Sequence, residues 1–451
     1  MGKSSAFAPA LRSFGGEGLR AHLLRGGAGS LLVKAGHGVL AFGVAVVLAR
    51  VLGPEGYGVY AFALAILMLI AIPAQVGIPQ LAVRETAKAQ ANQDWGLMRG
   101  LWRWGNISVA VFSTLGVVAA SAVIFLLETR ETDRTVTISI GIALIPLIAL
   151  TNVRAACLRG LRMVVLGQLP EIILRPALLL ILLGGWTMIL RNTPALTASG
   201  AMAMQVFASL ATLLIASLML GKAQPEGVKS RPSPRYEAVA WRKAVIPLAM
   251  IGGLQLINQH ADLIILGLLR PDEEVGVYRA VFQVALLVIF GLQAMNQVLQ
   301  PHFARLYSQG DMTKLQQLVT TSARAILALA MPPVLILMVF GTELLGWVFG
   351  DAFQAGGVAL AILAAGQLIN AGVGSVGALL NMTGNERYTM LGVAVAAASN
   401  VGMNLLLIPF LGMVGAAIAS AFALVLWNLL SMYFVRKQLA IAASALGPRG
   451  A

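Results

Sequence analysis

The chain has 451 residues, of which 58% are hydrophobic and only 11% are charged, and its formal net charge is +14. A mean hydropathy of +0.84 excludes a water-facing globular surface, so the bilayer is the expected solvent. The lone Cys157 excludes an intramolecular disulfide and a cysteine metal cluster, and the four histidines lack metal-ligand spacing. We therefore expect no metal, no cofactor and no enzymatic activity. Contact with anionic lipid headgroups accounts for the positive charge, and we expect no nucleic-acid partner.

Apolar stretches of about 20 residues, long enough to cross a hydrocarbon core about 30 Å thick, recur along the chain. They are uniformly apolar rather than alternating, which predicts helices and excludes a β-barrel. The fold class expected is therefore an all-α polytopic membrane protein with twelve spans. The predicted spans are 27–51, 56–79, 104–127, 135–153, 168–190, 197–220, 243–269, 275–299, 322–342, 355–380, 387–409 and 412–436.

Loop charge sets the predicted orientation, because Lys and Arg are retained on the cytoplasmic side during insertion. Running every odd-numbered helix from inside to outside places most of the 32 basic residues in the cytoplasm, and the predicted outer loops are acidic instead. Both termini are therefore predicted to be cytoplasmic. The first 26 residues lack the uninterrupted apolar core of a signal peptide, so we expect no cleavage.

A turn sequence occurs twice. LGPEGYGVY at residues 52–60 returns as LRPDEEVGVY at residues 269–278, and both copies lie between long apolar flanks. The repetition predicts two six-helix lobes, and an even number of spans per lobe makes the repeat parallel. Gly58 and Gly276 fall in the two turns and are expected to move when the outer side opens. The predicted division is an amino-terminal segment (1–26), an N-lobe (27–221), a cytoplasmic linker (222–242), a C-lobe (243–436) and a tail (437–451).

Both halves contain a set of short motifs: LARVLGPEGYGVY at 48–60, Gly77, Arg84-Glu85, DLIILG at 262–267, Gly276-Val277-Tyr278, Pro301, Arg305-Leu306-Tyr307, Gly310-Asp311 and NMTGNE at 381–386. Together these motifs resemble those of the polysaccharide transport family. That family comprises the O-antigen-type oligosaccharide flippases of the multidrug/oligosaccharidyl-lipid/polysaccharide exporter superfamily. The resemblance implies alternating-access movement of a polyprenyl-diphosphate-linked oligosaccharide from the cytoplasmic to the periplasmic leaflet. It also implies a multi-pass protein of the bacterial inner membrane that serves surface polysaccharide or lipopolysaccharide biosynthesis.

The implied partners are the lipid-linked oligosaccharide and membrane lipids, with a periplasmic polysaccharide polymerase as a further candidate. We expect a monomer.

Intramembrane amides supply the polar cavity that such a substrate needs, because sugars drawn through hydrocarbon would lose their hydrogen bonds. Amides both donate and accept, which suits sugar hydroxyls, although they also bind helices to one another. The predicted sugar contacts are Gln255, Asn258, Gln259, Gln293, Asn296, Gln297, Gln367 and Asn370. Asn400 and Asn404 add amides in the eleventh span.

Ionisable groups within the predicted spans are functional candidates, because a charge at membrane depth is costly. Six are singled out: Lys34, His37, Glu171, Arg175, His260 and Asp262. Lys34, His37 and Arg175 suit a diphosphate. For Lys34, a side chain that extends to the inner membrane interface is an alternative interpretation.

Glu171 and Arg175 have the spacing of an internal ion pair, and their separation would free Arg175 for phosphate and Glu171 for a proton. Arg84, Arg154, Arg159 and Arg162 sit at cytoplasmic helix ends, as positive-inside placement requires, and Arg84 and Arg159 are candidates for a phosphate entrance.

Asp262 and Glu171 are the candidates for coupling or gating. For Asp262, a structural bond to a first-lobe helix is an equally good interpretation. Coupling to H⁺, to Na⁺ or to the membrane potential alone stays open. Two other functions also stay open: a multidrug or organic-cation antiporter of the same architecture, and a membrane-embedded glycan polymerase or ligase.

Overall fold

The computed structural model describes residues 17–75, 77–127, 133–189, 195–230 and 232–447. Residues 1–16 of the predicted amino-terminal segment and 448–451 of the predicted tail lie outside the described residues.

The N-lobe contains six long helical segments, α1 to α6. Gly53 separates α1 from α2 with a φ of 67°, a backbone conformation that glycine adopts without strain. Their bounds are 17–52 (α1), 54–70 continued by Ile72–Gln75 and Ile78–Ala91 (α2), Trp95–Leu127 (α3), Asp133–Gly141 with Leu144–Gly160 (α4), Val164–Leu169 with Pro170–Leu174 and Arg175–Ile189 (α5), and Ala198–Ala223 (α6).

The C-lobe repeats this arrangement with α7 to α12. Gly412, with a φ of 55°, separates α11 from α12 as Gly53 does in the N-lobe. The bounds are Ala238–Leu269 (α7), Asp272–Ser308 (α8), Met312–Phe349 (α9), Asp351–Gly356 with Gly357–Val373 and Val376–Met382 (α10), 386–411 (α11) and 413–439 (α12).

Eight helices of the described chain are long and apolar enough to cross a membrane. Two of them run through the kinks at Gly53 and Gly412 and each contain two crossings, and α7 and α8 supply two more. The predicted class, an all-α protein with about twelve spans in two lobes, is confirmed. Predicted bounds differ mainly at the cytoplasmic ends, where several helices continue beyond the apolar stretch.

The packing of apolar side chains shows that the lobes are closed on the outer side. One core joins the outer halves of both lobes, and it includes Tyr57 of α2 and Tyr278 of α8. In the inner half, separate cores form around Met98 in the N-lobe and around Phe303 in the C-lobe. The inner end of α7 is an exception, because Trp241 packs with the N-lobe core. The structure is therefore an inward-facing state in the predicted orientation.

The two copies of the repeated sequence form the outer seal. A Cβ on Gly58 would lie 1.8 Å from the Asp272 carbonyl oxygen, and one on Gly276 would lie 1.9 Å from that of Pro54. Glycine at both positions thus lets the backbones of α2 and α8 touch. The prediction that these glycines lie in turns is wrong, because each is the fifth residue of its helix. The turns themselves form at Gly53 and at 270–271.

Two arginines strengthen the seal from the N-lobe. Arg134 forms an ion pair of 2.8 Å with Asp272 of α8 and donates to the Gly267 carbonyl at 3.0 Å. Arg50 donates to the Val348 carbonyl at the outer end of α9, at 2.8 Å. Each contact joins the two lobes and must break before the outer side opens.

Two cytoplasmic segments are packed on the lobes. In the predicted linker, the Arg235 N–H donates to the Gly96 carbonyl at 3.0 Å, and the Arg235 side chain pairs with Asp94 at 3.0 Å. In the tail, Arg324 of α9 donates to the carbonyls of Ala445 and Gly447, both at 2.9 Å. The linker is therefore packed against the N-lobe through Arg235.

Candidate functional site

Side chains from both lobes line a cavity of about 170 Å³ directly beneath the outer seal. We call it the cationic cavity. Its ionisable members other than tyrosine are His37, Glu171, Arg175, His260 and Arg279. Two arginines against one carboxylate give the cavity a positive balance. Tyr57, Tyr60, Gln205 and Gln283 complete the polar lining.

A π-helical turn of α5, Pro170–Leu174, shapes one wall of the cationic cavity. Pro170 lacks an N–H, and its carbonyl accepts from the Arg175 N–H five residues later. His37 of α1 donates from Nδ1 to the Ile172 carbonyl at 3.0 Å, which joins α1 to this turn. π turns are frequent at functional sites because they move side chains out of regular register.

The same turn decides one open question. Among the ion pairs of the described residues, Glu171 is not paired with Arg175. The wider turn changes the angular offset that would place residues i and i+4 above one another in an α-helix. Both side chains line the cationic cavity instead.

Glu171 also borders a second cavity, of about 470 Å³, on the inner side of the N-lobe. Arg159, Gln80 and Asn152 line this inner N-lobe cavity with it. Arg159 is half-buried and donates weakly to the Gly167 carbonyl at 3.5 Å. Glu171 is thus shared by the two cavities, with Arg159 in the inner one and Arg175 in the cationic one.

Two predicted phosphate contacts lie elsewhere. Arg84 is exposed and forms an ion pair of 2.8 Å with the adjacent Glu85. Lys34 is exposed on the inner half of α1 and does not line the cationic cavity or the inner N-lobe cavity. Of the other three members of that prediction, His37 and Arg175 line the cationic cavity and Arg159 lines the inner N-lobe cavity.

The C-lobe contains two further polar chambers. The Asp262 chamber, about 310 Å³, is lined by Asn258, Gln259, Gln367, Asn400 and Ser420 among others. The Asn428 chamber, about 320 Å³, is lined by Gln293, Asn296, Gln367, Asn370, Ser375 and Asn428 among others. Six of the eight predicted sugar contacts thus line one or both chambers. Gln255 is exposed and lines neither chamber, and the Gln297 side chain lies outside the described part of the molecule.

Helix α7 forms the wall between the two kinds of cavity. His260 lines the cationic cavity, whereas Asn258, Gln259 and Asp262 line the Asp262 chamber. Neighbouring residues of one helix therefore present an imidazole to one space, and two amides and a carboxyl group to the other.

Asp262 is fully buried within the C-lobe. Its Oδ2 accepts from the Tyr278 hydroxyl at 2.6 Å and from the Ser420 hydroxyl at 3.0 Å, and its Oδ1 accepts from the Leu263 N–H at 2.9 Å. Ser420 in turn accepts from Asn400 at 3.4 Å. The alternative of a structural bond to a first-lobe helix is wrong, because these partners all belong to the C-lobe. In the described chain, Asp262 has no ion-pair partner.

An apolar groove of about 430 Å³ runs between α1, α8, α9 and α10. Phe42 contributes from the N-lobe, and Gln367 and Asn370 are its polar members, which connects the groove to the chambers. The arrangement joins an apolar surface, uncharged amides and a cationic cavity within one inward-facing molecule.

Sequence reasoning missed several residues of these cavities. Arg279 lies inside the predicted eighth span, so inspecting that span for charge would have found it. The set of six ionisable groups was incomplete, since Arg50, Arg279 and Arg324 also fall within predicted spans. Tyr57, Tyr60 and Trp427 carry no comparable signal, because a lone aromatic residue in a span usually packs in the core.

The family follows from a comparison with known proteins. A family model described as "Polysaccharide biosynthesis protein" matches residues 23–307, more than half of the chain. The chain belongs to this family. The sequence resemblance to the oligosaccharide flippase family is thereby confirmed.

Relatives of the chain are consistent with the assignment. The chain is 23% identical over 174 residues to a probable low-salt glycan biosynthesis flippase, Agl15, of Haloferax volcanii. That alignment covers 39% of this chain and only 37% of the relative. The relative is described as a flippase and not as an enzyme, in agreement with the expectation of a non-enzymatic transporter.

Solved structures share the fold. An inward-facing multidrug resistance MATE family transporter of the MOP superfamily superposes with a TM-score of 0.74 at 13% identity, covering 90% of this chain and 94% of that one. The lipid II flippase MurJ in an inward closed conformation gives a TM-score of 0.70 at 12% identity, covering 90% and 87%. The chain therefore has the two-lobed fold that these solved structures share.

Proposed function

We propose that the protein flips a polyprenyl-diphosphate-linked oligosaccharide from the cytoplasmic to the outer leaflet of the cytoplasmic membrane, for surface polysaccharide synthesis. The proposal rests on one observation: cations and uncharged amides line separate cavities in the interior of the protein. Arg175 and Arg279 lie in a cationic cavity, and uncharged amides line adjoining chambers. A diphosphate needs cations, and sugar hydroxyls need groups that both donate and accept.

The substrate's three parts correspond to three surfaces. The diphosphate is assigned to the cationic cavity, the saccharide to the two chambers and the polyprenyl chain to the apolar groove. The groove shares Gln367 with both chambers. The lipid can thus keep its chain in apolar surroundings while its headgroup moves through polar ones.

The outer seal supports alternating access as the transport mechanism. In the inward-facing state the outer contacts at Gly58 and Gly276 are made, and the inner halves of the lobes have separate cores. Release of the seal and closure of the inner halves would expose the cationic cavity to the outer side. The Arg134 and Arg50 contacts make this a switch between two packed states.

The membrane potential is proposed as a sufficient driving force. Moving about two negative charges outward, with the cell interior negative, gains about 4–5 kcal/mol per 100 mV, from about 2.3 kcal/mol per charge. Asp262 and Glu171 are the carboxyl groups that line the cavities and are the candidates for coupling to H⁺ or Na⁺. We expect an imposed voltage to drive flipping in wild-type proteoliposomes and in the Asp262→Asn variant. Flipping that follows an ion gradient at zero voltage and ignores the voltage would refute this mechanism.

Organic-cation antiport is disfavoured by the same cavity, because Arg175 and Arg279 repel a cationic substrate. The test in cells is the location of the lipid-linked saccharide. Loss of the protein is expected to trap it in the inner leaflet, beyond the reach of a glycan-oxidising reagent applied from outside. An unchanged outer-leaflet fraction in cells that lack the protein and any other flippase would refute the proposal. A periplasmic polymerase remains a proposed partner, and we expect a monomer.

A further inference from the structure

Trp427 of α12 lies between the two C-lobe chambers and lines both of them. Two glycines make room for its indole ring. A Cβ on Gly392 of α11 would lie 2.8 Å from Cζ3, and one on Gly377 of α10 would lie 3.1 Å from Cζ2. The ring is therefore held in a slot between α10 and α11, and it cannot swing freely away from the chambers.

Unpaired polar atoms occur among the residues that line the Asn428 chamber together with this ring. Asn296 Oδ1, Ser375 Oγ and Asn428 Oδ1 are buried without a hydrogen-bond partner in the described part of the molecule. The three residues all line the Asn428 chamber. Buried polar atoms are normally paired, and the two amide oxygens are acceptors, so this chamber suits a ligand that brings several hydroxyl donors.

The residues that line the two chambers do not suit the phosphate groups of the substrate. Among the described residues lining either chamber, Asp262 is the only ionisable one, and Lys, Arg and His do not contribute. A diphosphate would meet no cation there. The chemistry that fits is a neutral polyol with an apolar face.

We propose that Trp427 is the stacking surface for a sugar ring of the substrate and separates two saccharide subsites, one in each chamber. A sugar ring carries C–H groups on one face and hydroxyls at its edge. The face packs on the flat indole while the edge reaches the amides on either side. This inference rests on the proposed function and adds the residue that recognises the glycan.

The test compares two substrates in proteoliposomes: lipid-linked oligosaccharide extracted from the producing cells, and the same polyprenyl diphosphate without sugar. The variants are Trp427→Phe and Trp427→Leu, and the control is Trp347→Leu at an indole that is 80% exposed. Trp427→Leu is expected to weaken competition by free oligosaccharide and to slow flipping of the glycan-bearing lipid about tenfold. It should leave the sugar-free lipid unchanged. Trp427→Phe and Trp347→Leu should stay within about twofold of wild type.

Gly392→Ala provides a second variant that keeps the indole but displaces it, since the added methyl meets Cζ3. It should show the same glycan-selective loss, and Trp427→Phe should restore it because phenylalanine is smaller. Equal slowing of both lipids, or no slowing of either, would show that Trp427 only packs between helices. Failure of the wild-type protein to move the glycan-bearing lipid would overturn the proposed function instead.

Discussion

Replacing Gly276 by alanine places a methyl group inside the outer seal. The new Cβ would lie 1.9 Å from the Pro54 carbonyl oxygen, and an ordinary contact begins at 3.4 Å, so α2 and α8 must separate by about 1.5 Å. Forcing an extra methyl into a packed contact costs about 1–3 kcal/mol. Because the clash exists only while the seal is closed, this cost falls on the inward-facing state. The inward-facing population should decrease about 5- to 150-fold relative to the outward-facing one.

Cysteine labelling from outside measures this shift. Ala61 lines the cationic cavity and is 4% exposed, so Ala61→Cys reports on opening of the outer side. The native Cys157 is 1% exposed in the N-lobe core and adds little background. A membrane-impermeant thiol reagent should label Cys at position 61 faster in Gly276→Ala, by the factor given above until labelling saturates.

Gly402→Ala is the matched control, because a Cβ at Gly402 would meet nothing within 4 Å. This variant should label at the wild-type rate. Equal rates in Gly276→Ala and Gly402→Ala would mean that the seal tolerates the methyl group. The assignment of this contact as the outer gate would then be wrong.

Two further predictions concern charged groups. Arg279→Ala should slow flipping of the lipid-linked substrate about tenfold or more at low substrate concentration, since a charge-assisted hydrogen bond is worth about 1.5–3 kcal/mol, and Arg279→Lys should recover part of it. Arg387→Ala, at an exposed arginine, should change nothing, and equal loss in both arginine variants would remove Arg279 from the site. Arg134→Asp should break the ion pair with Asp272 and accelerate labelling from outside, and the exchange Arg134→Asp with Asp272→Arg should restore the slow rate. If the exchanged pair labels as fast as the single variant, the ion pair does not hold the gate.

The sequence was sufficient to predict the helical fold because each span is a long apolar run. The turn sequence that occurs twice predicted the two lobes. The sequence also predicted much of the amide lining, since Asn258, Gln259, Gln293 and Asn296 stand out against apolar neighbours. The packing of Gly58 against α8 could not be predicted from the sequence, because a glycine near a turn does not show which backbone it will contact.

Other residues were misjudged for physical reasons. Glu171 and Arg175 have ion-pair spacing in an α-helix, and only the π turn at Pro170 separates them. Lys34, Arg84 and Arg175 are all positively charged, but the burial and orientation of each side chain decide which of them lines the cationic cavity. Trp427 gained its significance from Gly377 and Gly392, which belong to other helices.

The measurement that bears most directly on the proposed function is transbilayer movement by the purified protein in proteoliposomes. Three substrates should be compared: a lipid-linked oligosaccharide, a lipid-linked monosaccharide and a cationic dye. We predict voltage-stimulated flipping of the oligosaccharide lipid, slower movement of the monosaccharide lipid, which engages fewer amides, and no transport of the dye. Transport of the dye without movement of either lipid would contradict the account and would identify a multidrug transporter.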